Sequence, residues 1–74
     1  MKKITQEEFQ VLLASSIKMT KDHPYLRIGQ AMFNILYDKN PILADSLRGT
    51  DKDPFHARSL SDLRVEKFKN YIII

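Results

Sequence analysis

No cysteine occurs anywhere in the 74 residues, so disulfide staples, Cys-type zinc sites and thiol catalysis are excluded. Glycine stands only at positions 29 and 49, too few for the glycine-rich loop that cradles a phosphate. The only histidines are His23 and His56, and neither has a second ligand at the i,i+4 spacing of a helical metal site. No apolar run approaches the roughly 18 residues that span a bilayer. No signal-peptide pattern follows Met1. The expectation is a soluble protein of the cytoplasm without a membrane partner. Lys plus Arg number 12 against 9 for Asp plus Glu, a net +3, which is too mild for histone-like or ribosomal-tail chemistry.

What is present reads as one small globular domain, residues 1–74. Apolar residues make up 43% and charged residues 28%, a composition far from that of disordered chains. A domain this short buries only about 60% of the surface its unfolded chain exposes. Without disulfides or an evident metal, the expected remedies are dense helix packing, self-association or a partner.

The start carries the strongest local signal. Thr5-Gln6-Glu7-Glu8 fits a capping box, in which Thr5 and Glu8 each satisfy the other's backbone amide. Ile4 and Phe9 take the two positions of a hydrophobic staple. Phe9, Leu12, Leu13, Ser16 and Ile17 then share a face, which predicts a helix over about 5–20. His23 reads as flanking the next helix start. Pro24, tolerated in a first helical turn, predicts a second helix over 24–38. That helix is apolar around most of its circumference, with Arg27, Gln30, Asn34 and Asp38 as its polar stripe, and it reads as the central element. Asn40-Pro41 starts a short third helix over 41–48, and Gly49 ends it.

Residues 50–58 read as a loop pinned by Phe55. From Ser59 or Ser61 a fourth element carries Val65, Phe68 and Ile72 on one face. Tyr71 to Ile74 is apolar and β-prone, compatible with a strand, a helix end or a disordered tail. The fold class is therefore all-α or mainly α: three helices plus a C-terminal helix or strand. The expected core is Phe9, Leu12, Leu13, Ile17, Ile28, Met32, Ile35, Leu36, Leu43, Leu47, Phe55 and Phe68.

The residues favour binding over catalysis. Asp51, Asp53 and His56 lie close together, but the segment lacks the glycine, the alternating oxygens and the final glutamate of a calcium loop. The aspartates read as shaping a turn, and no metal or cofactor is expected. Protein binding is the preferred reading, through the stripe of Arg27, Gln30 and Asn34 together with Asp51, Asp53, Phe55 and His56 of the loop. The apolar tail could dock on its own chain, pair with its twin in a homodimer or fit a partner. The alternative is a nucleic-acid-binding regulator resembling a helix-turn-helix, which would use Arg48, Arg58, Arg64, Lys67 and Lys69. Asp45 opposes that reading, as do Asp62 and Glu66 interleaved among the basic residues.

Arg27-Ile28-Gly29-Gln30-Ala31-Met32-Phe33-Asn34-Ile35-Leu36-Tyr37, then Asn40-Pro41, then Arg48-Gly49-Thr50-Asp51 and Asp53-Pro54-Phe55 resemble a pattern in small uncharacterised open reading frames of tailed bacteriophages and prophages. The resemblance covers residues 27–55 and brings no activity and no catalytic residues. It implies a small accessory protein in a bacterial host cell that binds a host protein and inhibits or redirects it, or else a small DNA-binding regulator, and favours the first modestly.

Overall fold

The computed structural model describes residues 1–74. Four helices follow in order: α1 (Gln6–Asp22), α2 (Ile28–Lys39), α3 (Pro41–Leu47) and α4 (Leu63–Ile72). The fold is mainly α, with no sheet beyond one isolated parallel bridge between Ile4 and Ile73. No helix is long and apolar enough to cross a membrane.

The capping box forms as its residues dictate. The Glu8 amide donates to Thr5 Oγ1 at 3.1 Å, and the Thr5 amide donates to Glu8 Oε1 at 2.8 Å. Two of the four orphan donors of a helix start are thereby satisfied. Asn40 serves two helices and the N-terminal segment at once. Its N–H closes α2 on the Leu36 carbonyl at 2.7 Å, and its Oδ1 accepts from the Leu43 amide to cap α3. Its Nδ2 donates to the Lys2 carbonyl at 2.9 Å. Beyond α3, Gly49 takes φ +74°, the left-handed conformation that ends helices most cheaply in glycine.

The start of α2 departs from the sequence expectation. Pro24 does not open the helix. His23 instead caps the end of α1, its N–H on the Met19 carbonyl at 2.9 Å, and the Leu26 N–H turns back onto the His23 carbonyl. Tyr25 is 81% exposed in this turn and takes no part in the core. The helix begins at Ile28, after Arg27 in an extended conformation that lends no side-chain cap. The Gly29 N–H, an orphan of the first turn, donates across the molecule to the Ala57 carbonyl at 3.0 Å, and the Ala57 N–H donates to the Pro54 carbonyl at 2.8 Å. A Cβ placed on Gly29 would lie 1.8 Å from the Pro54 oxygen and 2.9 Å from Ala57 Cβ. Helix and turn therefore meet backbone to backbone, and only glycine permits it.

The core gathers Phe9 and Leu12 of α1, Met32, Phe33, Ile35 and Leu36 of α2, Leu43 and Leu47 of α3, and Val65, Phe68 and Ile72 of α4. Ile4 and Ala57 join from outside the helices. Leu13, Ile28 and Phe55, expected inside, are only partly buried against this cluster, and Ile17 is likewise intermediate. The single buried polar side chain, Ser16, donates to the Leu12 carbonyl at 2.8 Å, so it carries no unpaired hydrogen-bonding group.

The C-terminal tail docks on its own chain. The Ile4 N–H donates to the Ile72 carbonyl and the Ile74 N–H to the Ile4 carbonyl, both at 2.9 Å. Ile72 is fully buried and Ile73 half-buried, which leaves Ile74 as the tail's exposed residue at 84%. A homodimer through this tail would have little apolar surface left to use.

Substituting Gly29 should be far more costly than substituting Gly49. At Gly29→Ala the clash is with backbone and cannot be relieved by a rotamer, so the loss should reach or exceed about 3 kcal/mol, the upper end for overpacked cores. Gly49→Ala meets open space and should cost about 1–2 kcal/mol for the left-handed backbone alone. Urea unfolding of the two variants checks the ranking.

Candidate functional site

The long loop after α3 is shaped by Asp53. Its Oδ2 accepts from the Gly49 N–H at 2.8 Å and its Oδ1 from the Phe55 N–H at 3.0 Å. Thr50 assists, donating its hydroxyl to the Leu47 carbonyl at 2.6 Å. These ties are local side-chain-to-backbone bonds of the kind Asp and Thr favour in turns. Their result is to hold Phe55 over the outer face of α2.

There Phe55 meets Phe33 edge-on, with ring centroids 6.1 Å apart, and Phe33 stacks with Tyr37 at 6.4 Å. Two guanidinium groups flank the rings. Arg27 lies 5.5 Å above the Phe55 ring and donates from Nε to the Phe55 carbonyl at 3.3 Å. Arg48 lies 5.0 Å from Phe33 and 5.4 Å from Tyr37, while pairing with Asp45 at 3.1 Å. Cations over aromatic faces attract the ring quadrupole. Asn34, exposed, lines the same shallow hollow as Phe33, Tyr37, Arg48 and Phe55. His56 stands at the margin, 5.3 Å from the Phe55 ring. Gln30 is half-buried, between Arg27 and Asn34 in the helical row.

The expected stripe and loop thus come together through Arg27, Asn34, Phe55 and His56. Asp53 stands beneath them as a loop tie rather than a contact residue. Asp51 belongs elsewhere. It pairs with Lys52 at 3.2 Å and Lys67 at 3.4 Å, beside a Tyr71 ring that has Lys3 at 4.3 Å and Lys52 at 5.6 Å. Asp51, Asp53 and His56 do not converge as a donor set, and no group of three or more His, Asp or Glu side chains does so anywhere in the chain.

The basic residues of the nucleic-acid alternative are dispersed. Arg64 is engaged with Asp62 through two hydrogen bonds, at 3.1 and 2.8 Å. Lys67 faces Asp51, whereas Lys69 lies 5.7 Å from the Phe9 ring of α1. Arg64 and Lys69 stand about 140° apart at roughly 100° per helical residue. Arg58 sits beside the Pro24–Leu26 turn, and Arg48 belongs to the aromatic cluster. They do not form one continuous stripe.

Tyr37 and Arg48, packed over the buried ring of Phe33, complete a surface that the sequence only half discloses. Phe33 and Tyr37 are i and i+4 on α2, but apolar residues at helical spacing on a central helix read as core. Lys3 and Lys52 beside Tyr71 are equally hidden, because the three lie far apart in sequence.

Compared with known proteins, the chain matches no family model, no curated protein and no solved structure.

Three carboxylates, Asp51, Asp62 and Glu8, are held below the usual range. For Asp51 the chief cause is the hydrogen bond from Lys52, followed by that from Lys67. For Asp62 it is the Arg64 side chain, then the Arg64 backbone. For Glu8 it is the Thr5 backbone amide, then the Thr5 side chain. A depressed folded-state pKa contributes stability above the unfolded value, lost as pH falls through the folded one. Thermal stability should therefore be flat from neutrality down to about pH 5 and decline as pH drops below about 4. Removing the carboxyl in Asp51→Asn should shallow that acid decline. Unfolding curves across pH 3–7 for both proteins measure the difference.

Proposed function

We propose that this chain is a small non-enzymatic binding factor that engages a protein partner through the surface formed by Arg27, Asn34, Tyr37, Arg48 and Phe55. The observation that carries this reading is the convergence of the Tyr37 and Phe55 rings and two guanidinium groups on one face, over the buried ring of Phe33. Aromatic residues and arginine are enriched at the centres of protein interfaces and dominate their energetics. The rings are already positioned by α2 and by the Asp53-tied loop, so little side-chain entropy is lost on docking.

The two arginines differ in what they ask of a partner. Arg48 has its carboxylate on its own chain in Asp45. Arg27 is held by a neutral carbonyl, which suits a partner that brings a carboxylate beside an apolar side chain. The partner proposed is a host protein of the bacterial cytoplasm, the kind of target that a phage accessory protein would take. The chain would inhibit or redirect it by covering a functional surface or by locking one of its states.

The test is capture from nuclease-treated bacterial lysate at two salt concentrations, with variants alongside. A stoichiometric protein should be retained at the higher salt, survive Lys67→Gln, and weaken at least about 30-fold with Tyr37→Ala or Arg27→Ala, the loss expected of interface anchors. Retention unaffected by Tyr37→Ala and Arg27→Ala would move the interface elsewhere. Recovery of nucleic acid alone, lost as salt rises, would overturn the proposal in favour of the nucleic-acid-binding regulator.

A further inference from the structure

We propose that the hollow between the N-terminal segment, α1 and the end of α2 is a binding site for an aliphatic carboxylate, a hydrocarbon chain ending in one carboxyl group. The site is separate from the aromatic surface and does not depend on the function proposed for it. It encloses about 480 Å³, within the roughly 300–1,000 Å³ of small-molecule sites. Its floor is made by Ile4, Leu12 and Leu36, each at most 8% exposed. Val11 forms a wall and is 55% exposed, an apolar side chain on the helix face that otherwise meets solvent.

The charge at the rim selects the head group. Lys2 and Lys39 line the hollow, and neither takes part in the ion pairs of the protein. Glu8 lines the same hollow; its carboxylate accepts from the Thr5 amide at 2.8 Å and is held ionised chiefly by Thr5, with smaller contributions from Lys2 and Lys39. The hydrogen bond from Asn40 Nδ2 to the Lys2 carbonyl fixes the backbone that carries Lys2 against the end of α2. Lys3 turns to the Tyr71 ring, so Lys2 and Lys39 set against Glu8 leave one net positive charge at the rim, which with the apolar floor fits an anion of single charge with a hydrocarbon body. No aromatic ring lines the hollow, which favours an aliphatic body over one that must stack.

Affinity should follow chain length. Each buried methylene adds about fourfold, so binding should tighten steeply from hexanoate through octanoate to decanoate, then level once the hollow is filled. The ammonium groups should separate decanoate from 1-decanol, and Lys2→Gln combined with Lys39→Gln should weaken decanoate at least about tenfold. Both lysines are exposed, so the double variant is expected to keep its folding midpoint, which circular dichroism verifies.

The experiment is an amide NMR titration of the full chain with sodium hexanoate, octanoate and decanoate below micelle formation, and with 1-decanol. Saturable shifts at Val11, Leu12 and Lys39, graded by chain length and lost in the double lysine variant, are the expected result. Absence of saturation, affinity independent of chain length, or equal binding of 1-decanol would each overturn the proposal. Shifts centred on Phe33 and Tyr37 would also overturn it, since they would place the ligand on the aromatic surface.

Discussion

Gly29 and the Pro54–Ala57 turn touch through their backbones, and much of the molecule is arranged by that contact. The Gly29 amide finds its acceptor on Ala57, which fixes where α2 begins without a side-chain cap at Arg27. The missing Cβ lets the turn descend until Pro54 and Ala57 are buried. Once the turn is seated, Phe55 between them is held against Phe33 and its carbonyl is presented to Arg27. The surface proposed to bind a partner is thus a consequence of a packing contact rather than a separate device.

A second set of ties closes the other end. The paired backbone of Ile4 with Ile72 and Ile74 joins the two ends of the fold, and Asn40 couples Lys2 to the junction of α2 and α3. In a domain this small, burial alone leaves a narrow margin. Ties between segments far apart in sequence restrict the chain without a disulfide or a metal. They also shape the lysine-rimmed hollow, whose floor is core and whose rim is carried by those same ties.

Legibility in the sequence followed the range of each interaction. The Thr5–Glu8 box, the Asn40-Pro41 start and the Gly49 stop are made by residues within a few positions of one another, so spacing alone discloses them. The start of α2 was misplaced because Pro24 is compatible with both a helix start and a turn, and the deciding acceptor lies on Ala57, 28 residues beyond Gly29. Phe55 was recognisable as a loop anchor, but Ala57 and Pro54, which are more deeply buried, gave no sign. At the site, Arg27, Asn34, Phe55 and His56 are legible from a polar stripe and a long loop. Phe33, Tyr37 and Arg48 were not joined to them, because a ring on an apolar helix face belongs to core or surface only according to what packs above it. Asp51 and Asp53, two positions apart in the loop, have different duties for the same reason.

Amide hydrogen exchange tests the central contact most directly. If Gly29 anchors the turn, its N–H and that of Ala57 should exchange as slowly as the core amide of Leu36, opening only with global unfolding. Fast exchange at Gly29 and Ala57 beside a protected Leu36 would show that the turn does not stay on α2. It would then contradict both the packing account and the fixed placement of Phe55 that depends on it.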